Sequence, residues 1–328
     1  MRVAKREPLN AGIQAETPRD GRGQPCPREV FVRILSCAVR VGGNCPWILR
    51  DLLSLYPVST VGGDGYGESQ LVGSVSIEHG TKDGHGYYLV REVDHRLRLL
   101  ASASDTLAHL EQLVSTTAML NLSQHLLVHA AVATVPTGGI LLPGASGAGK
   151  STLVAAFCLS GFEYLSDEVA VLERGSVSAL PFLKSICLKD GGWRTVAASF
   201  EVPPPSLMAT RADGEPVRYL AAPIQFPPDG RVQVRYVLLP ARSKGARATL
   251  RPVSRAAVLA ELARHSLNLP RHGLAGVELL ARLVEGAECH ILIYEDLRDA
   301  VSVVSELVGH LPVTAAQRPS APPSHGPG

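Results

Sequence analysis

Residues 144–151 read GASGAGKS and match the phosphate-loop pattern G-x-x-x-x-G-K-[ST] at every fixed position. The three glycines allow the backbone to wrap a polyphosphate with its N–H groups pointing inward. An apolar segment at 139–143 reads as a buried strand before the loop, and residues 152–160 read as a helix after it. This order puts the positive end of a helix dipole under the phosphates. The sequence therefore predicts a binding site for a nucleoside triphosphate.

Individual loop residues have distinct expected roles. The Lys150 ammonium is expected to reach the β- and γ-phosphates, and the Ser151 hydroxyl is expected to ligate Mg²⁺. The predicted nucleotide-binding residues are Gly144, Ala145, Ser146, Gly147, Ala148, Gly149, Lys150, Ser151 and Thr152. The expected cofactors are therefore ATP and Mg²⁺.

A pair of adjacent acids forms the second chemical signal. Asp167 and Glu168 interrupt the apolar run GFEYLSDEVAVL at 161–172, shortly after the loop. A carboxylate at a strand end beside the loop can hold Mg²⁺ directly or through water, and it can accept a proton from an attacking hydroxyl. A solvent-exposed acidic turn is the alternative. Beside an intact loop, the pair is predicted to share the metal-binding and general-base roles, with Ser151 as a further metal ligand.

Cations around the γ-phosphate are a further expectation, because phosphoryl transfer depends on charge neutralisation. Lys184 and Lys189 are the best-placed candidates after the acids. A strand would point their side chains to opposite faces, so at most one is expected to face the site. Further candidates are Arg247, Arg251 and Arg255. His129, in an apolar segment before the loop, is by pattern alone more typical of a hydrogen-bonded core histidine.

Composition and charge exclude several functional classes. The chain has 328 residues, of which 45% are hydrophobic and 19% charged, with a formal net charge of +2. This indicates a globular protein without the basic footprint of a nucleic-acid binder. No apolar stretch approaches the roughly 18 residues of a membrane span, and none follows the N-terminus as in a secretory signal. The six cysteines lack zinc-finger spacing and read as reduced thiols. We expect a cytoplasmic protein with no membrane partner.

The pattern along the chain divides it into four parts. Residues 1–29 and 313–328 are predicted to be disordered, because they are rich in Arg, Gly, Pro and Gln without periodicity. Residues 30–103 are predicted to form a small β-rich module. Residues 104–312 are predicted to form a P-loop domain that opens with a long helix capped by Ser104. The mixture of hairpins and crossovers predicts an α/β (α+β) fold with a mixed sheet flanked by helices.

Three segments resemble the catalytic domain of the HPr kinase/phosphorylase family and, more distantly, the phosphoenolpyruvate carboxykinases, which share a variant P-loop fold. Val128-His129-Ala130 stands where that family has a V-H-G-like motif before the loop. The loop matches G-x-S-G-x-G-K-S, including Ser146. The stretch at 161–169 occupies the place of the family's G-h-x-L-V-A-D-D-x-V segment. The resemblance covers residues 120–175 and is diffuse as far as residue 310.

The resemblance implies a P-loop mixed sheet like that of the family and transfer of the γ-phosphoryl group of ATP to a hydroxyl. It implies Asp167, Glu168, His129 and Lys150 as catalytic residues, with His129 beside the transferring phosphate, and Ser151, Asp167 and Glu168 as metal ligands. Two departures argue against HPr itself as the substrate. The family's second Asp is Glu168 here, and its E-h-R-G-h-G signature is absent. The pattern is more similar to divergent HPr-kinase-like serine kinases, including those that tailor lasso peptides.

The expected acceptor is therefore a serine of a peptide or protein. Two alternatives stay open: a nucleotide-binding regulatory or assembly protein without phosphotransfer, and a kinase of a small metabolite on the same scaffold. A transporter ATPase is disfavoured because no LSGGQ-like signature follows the loop, and a GTPase because the N-K-x-D motif is lacking. The sequence also leaves open an oligomer of identical chains.

Overall fold

A computed structural model of the chain describes residues 27–56, 69–223 and 230–309. The predicted disordered tail at 313–328 lies outside these ranges, and so does all but the end of the predicted disordered segment 1–29. Within the described ranges, helices and mixed sheets alternate irregularly. The mixed α+β class that the sequence predicts is thereby confirmed.

Helices account for seven elements of the described ranges. They are α1 (Pro46–Ser54), α2 (Ala103–Asn121), α3 (Lys150–Leu159), α4 (Asp190–Ser199), α5 (Arg255–Arg264), α6 (Leu269–Gly286) and α7 (Leu297–Val308). The cap of α2 differs from the predicted one. The Ser102 hydroxyl, not that of Ser104, accepts the hydrogen bond from the Asp105 N–H at 3.0 Å. The long helix therefore starts two residues earlier than predicted, and its N-cap residue is a serine as expected.

Strands supply the remaining elements. The first five are β1 (Glu29–Ile34), β2 (Cys37–Gly43), β3 (Gln70–Lys82), β4 (His85–Arg91) and β5 (Leu97–Leu100). The next six are β6 (Leu126–Val128), β7 (Ala130–Val135), β8 (Gly138–Pro143), β9 (Glu163–Ser166), β10 (Ala170–Leu172) and β11 (Ser178–Leu180). The last six are β12 (Ile186–Lys189), β13 (Leu207–Thr210), β14 (Pro216–Leu220), β15 (Val232–Arg242), β16 (Thr249–Pro252) and β17 (Glu288–Tyr294).

Three sheets organise these strands. The N-terminal sheet has the order β1-β2-β3-β4-β5, and a small sheet has the order β12-β14-β13. The central sheet follows the path β6-β10-β11-β15-β8-β7-β9; β17 is added beside β15, and β16 beside β17. Strand β15 pairs in parallel with both β8 and β17. The carboxyl ends of these three strands therefore meet at one edge of the sheet, which is where the glycine loop begins.

One hydrophobic cluster crosses the predicted boundary between residues 103 and 104. It joins buried residues of the N-terminal sheet, such as Val75, to Leu110 on α2 and to Val169 and Phe182 farther along the chain. The backbone is also tied across this boundary, because the Ser185 N–H donates to the Leu55 carbonyl at 2.7 Å. The N-terminal sheet and the chain around the acidic pair therefore share one core.

The segment that carries Lys184 and Lys189, LPFLKSICLKDGGW at 180–193, contains the start of a helix as well as a strand. Strand β12 is followed at once by α4, whose first turn contains Asp190, Gly191 and Gly192. Glycine is a poor helix former, so this helix gives little sequence signal. An acidic residue in a first turn is favourable at the positive end of the helix dipole. The turn at α4 brings its N-terminus toward the glycine loop, since a Cβ on Gly192 would lie 2.9 Å from the Thr152 hydroxyl oxygen.

Other sequence expectations concern thiols and membranes. The five cysteines of the described ranges are free, and four of them are buried. The sixth, Cys26, lies outside these ranges. Among the described helices, none has both the length and the apolar character needed to cross a bilayer.

Close strand packing at Gly43 gives a stability prediction. A Cβ at this position would lie 1.8 Å from the Ile77 carbonyl oxygen of the neighbouring strand β3, and φ is +153°. We expect Gly43→Ala to lower the free energy of unfolding by about 1–3 kcal/mol, because the strands must separate. Gly286→Ala is the matched control, since nothing lies within 4 Å of its Cβ position. Urea denaturation measures both, and equal stabilities would contradict this packing.

Candidate functional site

The glycine loop connects the end of β8 to the start of α3. Lys150 is the first helical residue, and Gly149 precedes it in the left-handed conformation with φ +88°. Gly147 has φ +84°. Only glycine adopts such φ values without strain, so both positions need it. The first N–H groups of a helix have no acceptor within the helix, and here they are available to an anion held by the loop. The predicted order of strand, loop and helix is confirmed.

Lys150 is buried beneath the loop and is 5% exposed. Its Nζ donates to the carbonyl oxygens of Gly144 and Ala145, both at 2.8 Å, and to His129 Nε2 at 3.0 Å. These three bonds use the three donors of an ammonium group. Burial lowers the pKa of Lys150 to about 8, although the nearby acidic pair opposes the shift. The side chain is therefore held in a fixed position with a charge that is readily lost.

His129 lies at the break between β6 and β7. Its Nδ1 is 3.0 Å from the Glu168 carbonyl oxygen, which can only accept. Nδ1 therefore carries the proton, and Nε2 has the lone pair that accepts from Lys150. Burial, followed by the charge of Lys150, lowers the pKa of His129. The neutral ring thus links the lysine to the acidic segment.

Asp167 directly follows β9 and is almost fully buried. Its Oδ1 accepts from the Tyr164 hydroxyl at 2.8 Å, and its Oδ2 accepts from the Cys187 N–H at 3.2 Å. Burial, reinforced by the negative charge of Asp167, raises the pKa of Tyr164, so the phenol stays a donor. The carboxylate is therefore held by groups on both sides, at a strand end beside the loop as predicted.

Glu168 has a different environment from its neighbour. Its side chain is 34% exposed, and its Oε2 lies 3.0 Å from Lys184 Nζ. Its Oε1 has no hydrogen-bond partner among the described residues. The positive charge of Lys184 lowers the pKa of Glu168 and outweighs the opposing effect of burial. Glu168 is therefore an ionised carboxylate with one oxygen available to a ligand.

All four predicted catalytic residues line one cavity of about 510 Å³. Loop residues 146–152 line it as well, and this range includes Ser151. Gly144 and Ala145 do not line it, and they contribute through their carbonyl bonds to Lys150. The cavity has the size of a small-molecule or cofactor site. The structure thus brings the glycine loop and the acidic pair together around a shared space.

Both candidate lysines line the cavity, so the expectation that at most one of them faces the site is wrong. The strand argument does not apply to the pair, because Lys184 precedes β12 and only Lys189 belongs to it. Lys184 is 2% exposed and is paired with carboxylates, whereas Lys189 is 46% exposed and lies 2.5 Å from Glu215. Of the described cavity-lining residues, none is one of the three predicted arginines, which were Arg247, Arg251 and Arg255. The predicted role of those arginines in the site has no support from their position.

Sequence reasoning missed two arginines that line the cavity, Arg211 and Arg242. Arg242 ends β15, and Tyr294 ends the neighbouring parallel strand β17. Ligands bind at the carboxyl ends of parallel strands. Knowledge that β15 and β17 pair in parallel would therefore have identified Arg242 and Tyr294 as residues of the site. Arg211 follows β13 in a turn, TRADGE, whose sequence gives no functional signal. Its Nη2 lies 3.9 Å from Cys187 Sγ.

The oxygen ligands at this edge suit a hard cation. Ser151, Asp167 and Glu168 offer a hydroxyl and two carboxylates, which Mg²⁺ prefers to nitrogen or sulfur ligands. Within the described ranges, no group of three or more His, Cys, Asp or Glu is placed to hold a metal on its own. Mg²⁺ commonly binds through one or two carboxylates together with substrate phosphates and water, so the residues present fit that cation.

Comparisons with known proteins leave the family open. Neither a protein-family model nor a curated protein matches this chain. The resemblance of three segments to the HPr kinase/phosphorylase family therefore stays a prediction from the motifs. What the structure establishes is the mixed α/β architecture and the meeting of the loop, His129 and the acidic pair around one cavity.

Proposed function

We propose that this chain is an ATP-dependent kinase that transfers the γ-phosphoryl group to a hydroxyl. The observation that carries the proposal is that the glycine loop, Lys150 and Glu168 line one cavity, and that Lys184 pairs with only one oxygen of Glu168. A phosphate donor bound on the loop would therefore share this cavity with a carboxylate able to act on an acceptor. The resemblance of the motifs to the HPr kinase/phosphorylase family supports the same reaction.

The donor end of the proposed site is built from the loop. The N–H groups at the start of α3 bind the phosphates, and Lys150 adds a positive charge. Arg242 lies at the same edge and provides a second cation for the polyphosphate. We propose that Ser151 and Asp167, whose carboxylate is held by Tyr164 and Cys187, would hold Mg²⁺, directly or through water. The ion would supply charge neutralisation for the phosphates of the donor.

The acceptor end is proposed to be the side of the cavity occupied by Glu168. The acceptor oxygen forms a bond to the γ-phosphorus while the bond between that phosphorus and the oxygen of ADP breaks. The hydroxyl proton passes to Glu168 Oε1, since Oε2 is occupied by Lys184. Catalysis here consists mainly of positioning and charge neutralisation, because the transition state is loosely bonded.

We propose a serine of a peptide or protein as the acceptor, in a cytoplasmic setting. The serine rests on the family resemblance, and the cytoplasmic setting is supported by the free cysteines. Incubating the protein with γ-labelled ATP and lysate of its own host, followed by identification of the labelled molecule, names the acceptor. A labelled small metabolite would point to the open alternative of a metabolite kinase.

Substitution of the acids separates phosphoryl transfer from nucleotide binding. We expect Asp167→Asn and Glu168→Gln each to lower the transfer rate by about a hundredfold or more, because metal positioning or proton acceptance is lost. Affinity for ATP, measured by calorimetry, should change little in either variant. Lys150→Met should lose both binding and transfer. Unaltered transfer in Asp167→Asn and Glu168→Gln would remove the catalytic role of the acids and favour a nucleotide switch without phosphotransfer.

The lowered pKa of Lys150 predicts how ATP affinity depends on pH. Its free-state pKa is about 8, and only the ammonium form attracts phosphate. Bound phosphates raise that pKa, so binding above pH 8 must be accompanied by proton uptake. We expect ATP affinity to be flat below about pH 8 and to fall above it by up to about tenfold per pH unit.

Lys150→Arg is the matched control for this pH dependence, because a guanidinium does not lose its proton in this range. Its affinity for ATP, whatever its absolute value, should lack the decline above pH 8. Calorimetric titrations of both proteins between about pH 7 and 9 compare the two profiles. An identical decline in the wild type and in Lys150→Arg would show that another group is responsible.

A further inference from the structure

Lys184 is the most deeply buried charged side chain around the cavity, at 2% exposure. Its Nζ lies 2.8 Å from Glu111 Oε1 on α2 and 3.0 Å from Glu168 Oε2. Burial disfavours its charge, yet the two carboxylates, Glu111 first, raise the pKa of Lys184 well above its usual value. The lysine is therefore a permanent cation between one carboxylate of the core and one of the site.

Glu111 is itself fixed from the side of the core. It is 3% exposed, and its Oε1 also accepts from the Ser115 hydroxyl at 3.2 Å. The Tyr56 hydroxyl lies 3.0 Å from the Ser115 hydroxyl and donates to the Glu111 backbone carbonyl at 3.1 Å. This buried chain leads from the end of α1 through α2 to Lys184. Lys184 lines the cavity and pairs there with Glu168.

These contacts argue against a phosphate-binding role for Lys184. A cation that already bridges two carboxylates has its charge matched, and moving it to a phosphate would leave Glu111 charged and buried without a partner. Lys150 and Arg242 lack such a carboxylate partner within hydrogen-bonding distance among the described residues, so they are better placed to neutralise a polyphosphate. The bridge holds one oxygen of Glu168, which lines the cavity, and leaves the other without a hydrogen-bond partner among the described residues.

We propose that Lys184, held in place by Glu111, is a positioning residue that fixes the Glu168 carboxylate for proton acceptance. The inference rests on the proposed kinase function and deepens it, since it extends the working site into α2 and the shared core. Neither residue needs to touch a substrate. Their effect on the reaction passes through Glu168, in the same way that a carboxylate orients a catalytic histidine in a triad.

A double-mutant cycle tests whether the effect does pass through Glu168. Lys184→Met alone would leave the buried negative charge of Glu111 without a cation. The test variant therefore combines Lys184→Met with Glu111→Gln, which makes both side chains neutral, and is called the neutral-pair variant. We expect this variant to show the cooperative thermal unfolding of a folded protein and an affinity for ATP within about threefold of the wild type. We expect its kcat for phosphoryl transfer to be about a hundredfold lower.

The decisive comparison is made in the Glu168→Gln background. If the pair acts only by positioning Glu168, adding Lys184→Met and Glu111→Gln to Glu168→Gln should cause almost no further loss of kcat. A wild-type kcat in the neutral-pair variant would overturn the proposal. A further hundredfold loss in the Glu168→Gln background would overturn it as well, because it would show an independent contribution of the pair.

A second ion pair of the same chain segment provides the matched control. Lys189 Nζ lies 2.5 Å from Glu215 Oε2, and Lys189 lines the cavity but forms no hydrogen bond or ion pair with Glu168. Any effect of Lys189→Met with Glu215→Gln should add fully to that of Glu168→Gln, because the two act separately. Coupling of this control pair to Glu168 would mean that the cycle reports general disturbance of the segment.

A crystal structure separates failure of this inference from failure of the kinase function. If the wild type transfers no phosphoryl group to any acceptor or to water, the proposed function is wrong. The positioning claim is still decided by the structure of the neutral-pair variant. We expect the Glu168 carboxylate to move by more than about 1 Å, a displacement large enough to impair catalysis. An unmoved Glu168 carboxylate would overturn the inference in either case.

Discussion

The burial of two lysines beneath one cavity is the constraint on which the site depends. Lys150 and Lys184 are 5% and 2% exposed, and an unpartnered buried ammonium would be strongly unfavourable. Lys150 is satisfied by two loop carbonyls and a neutral His129, and Lys184 by two carboxylates. These requirements fix the protonation of the histidine and the direction in which Glu168 faces. The conformation around Glu168 is thus constrained by the glycine loop through His129 and by the core through Lys184.

The two lysines divide the work because their partners differ. Lys150 is held by neutral acceptors, so its charge is free to meet a polyphosphate, and its pKa is lowered to about 8. Lys184 is held by anions, so its charge is already matched within the protein. In the proposed kinase, this difference assigns ligand binding to Lys150 and the positioning of Glu168 to Lys184. It also makes α2 part of the proposed catalytic apparatus.

The sequence predicted the parts of the site that are local in the chain. The glycine loop, the helix after it and the acids at a strand end each follow from spacing within a dozen residues. Arg242 was missed because its place depends on parallel pairing of β15 with β8, which no local pattern reports. The α4 helix was missed because two glycines in its first turn have a low helix propensity. The bridge from Glu111 to Lys184 joins residues far apart in the chain, so only the folded structure could identify it.

A crystal structure with a non-hydrolysable ATP analogue and Mg²⁺ tests the central claim most directly. We expect the triphosphate on the glycine loop, with Lys150 at the β- and γ-phosphates. We also expect the ion about 2.0–2.1 Å from the Ser151 hydroxyl oxygen and the Glu168 carboxylate facing the γ-phosphate. A triphosphate bound away from the loop, or a γ-phosphate out of reach of both acids, would contradict the account.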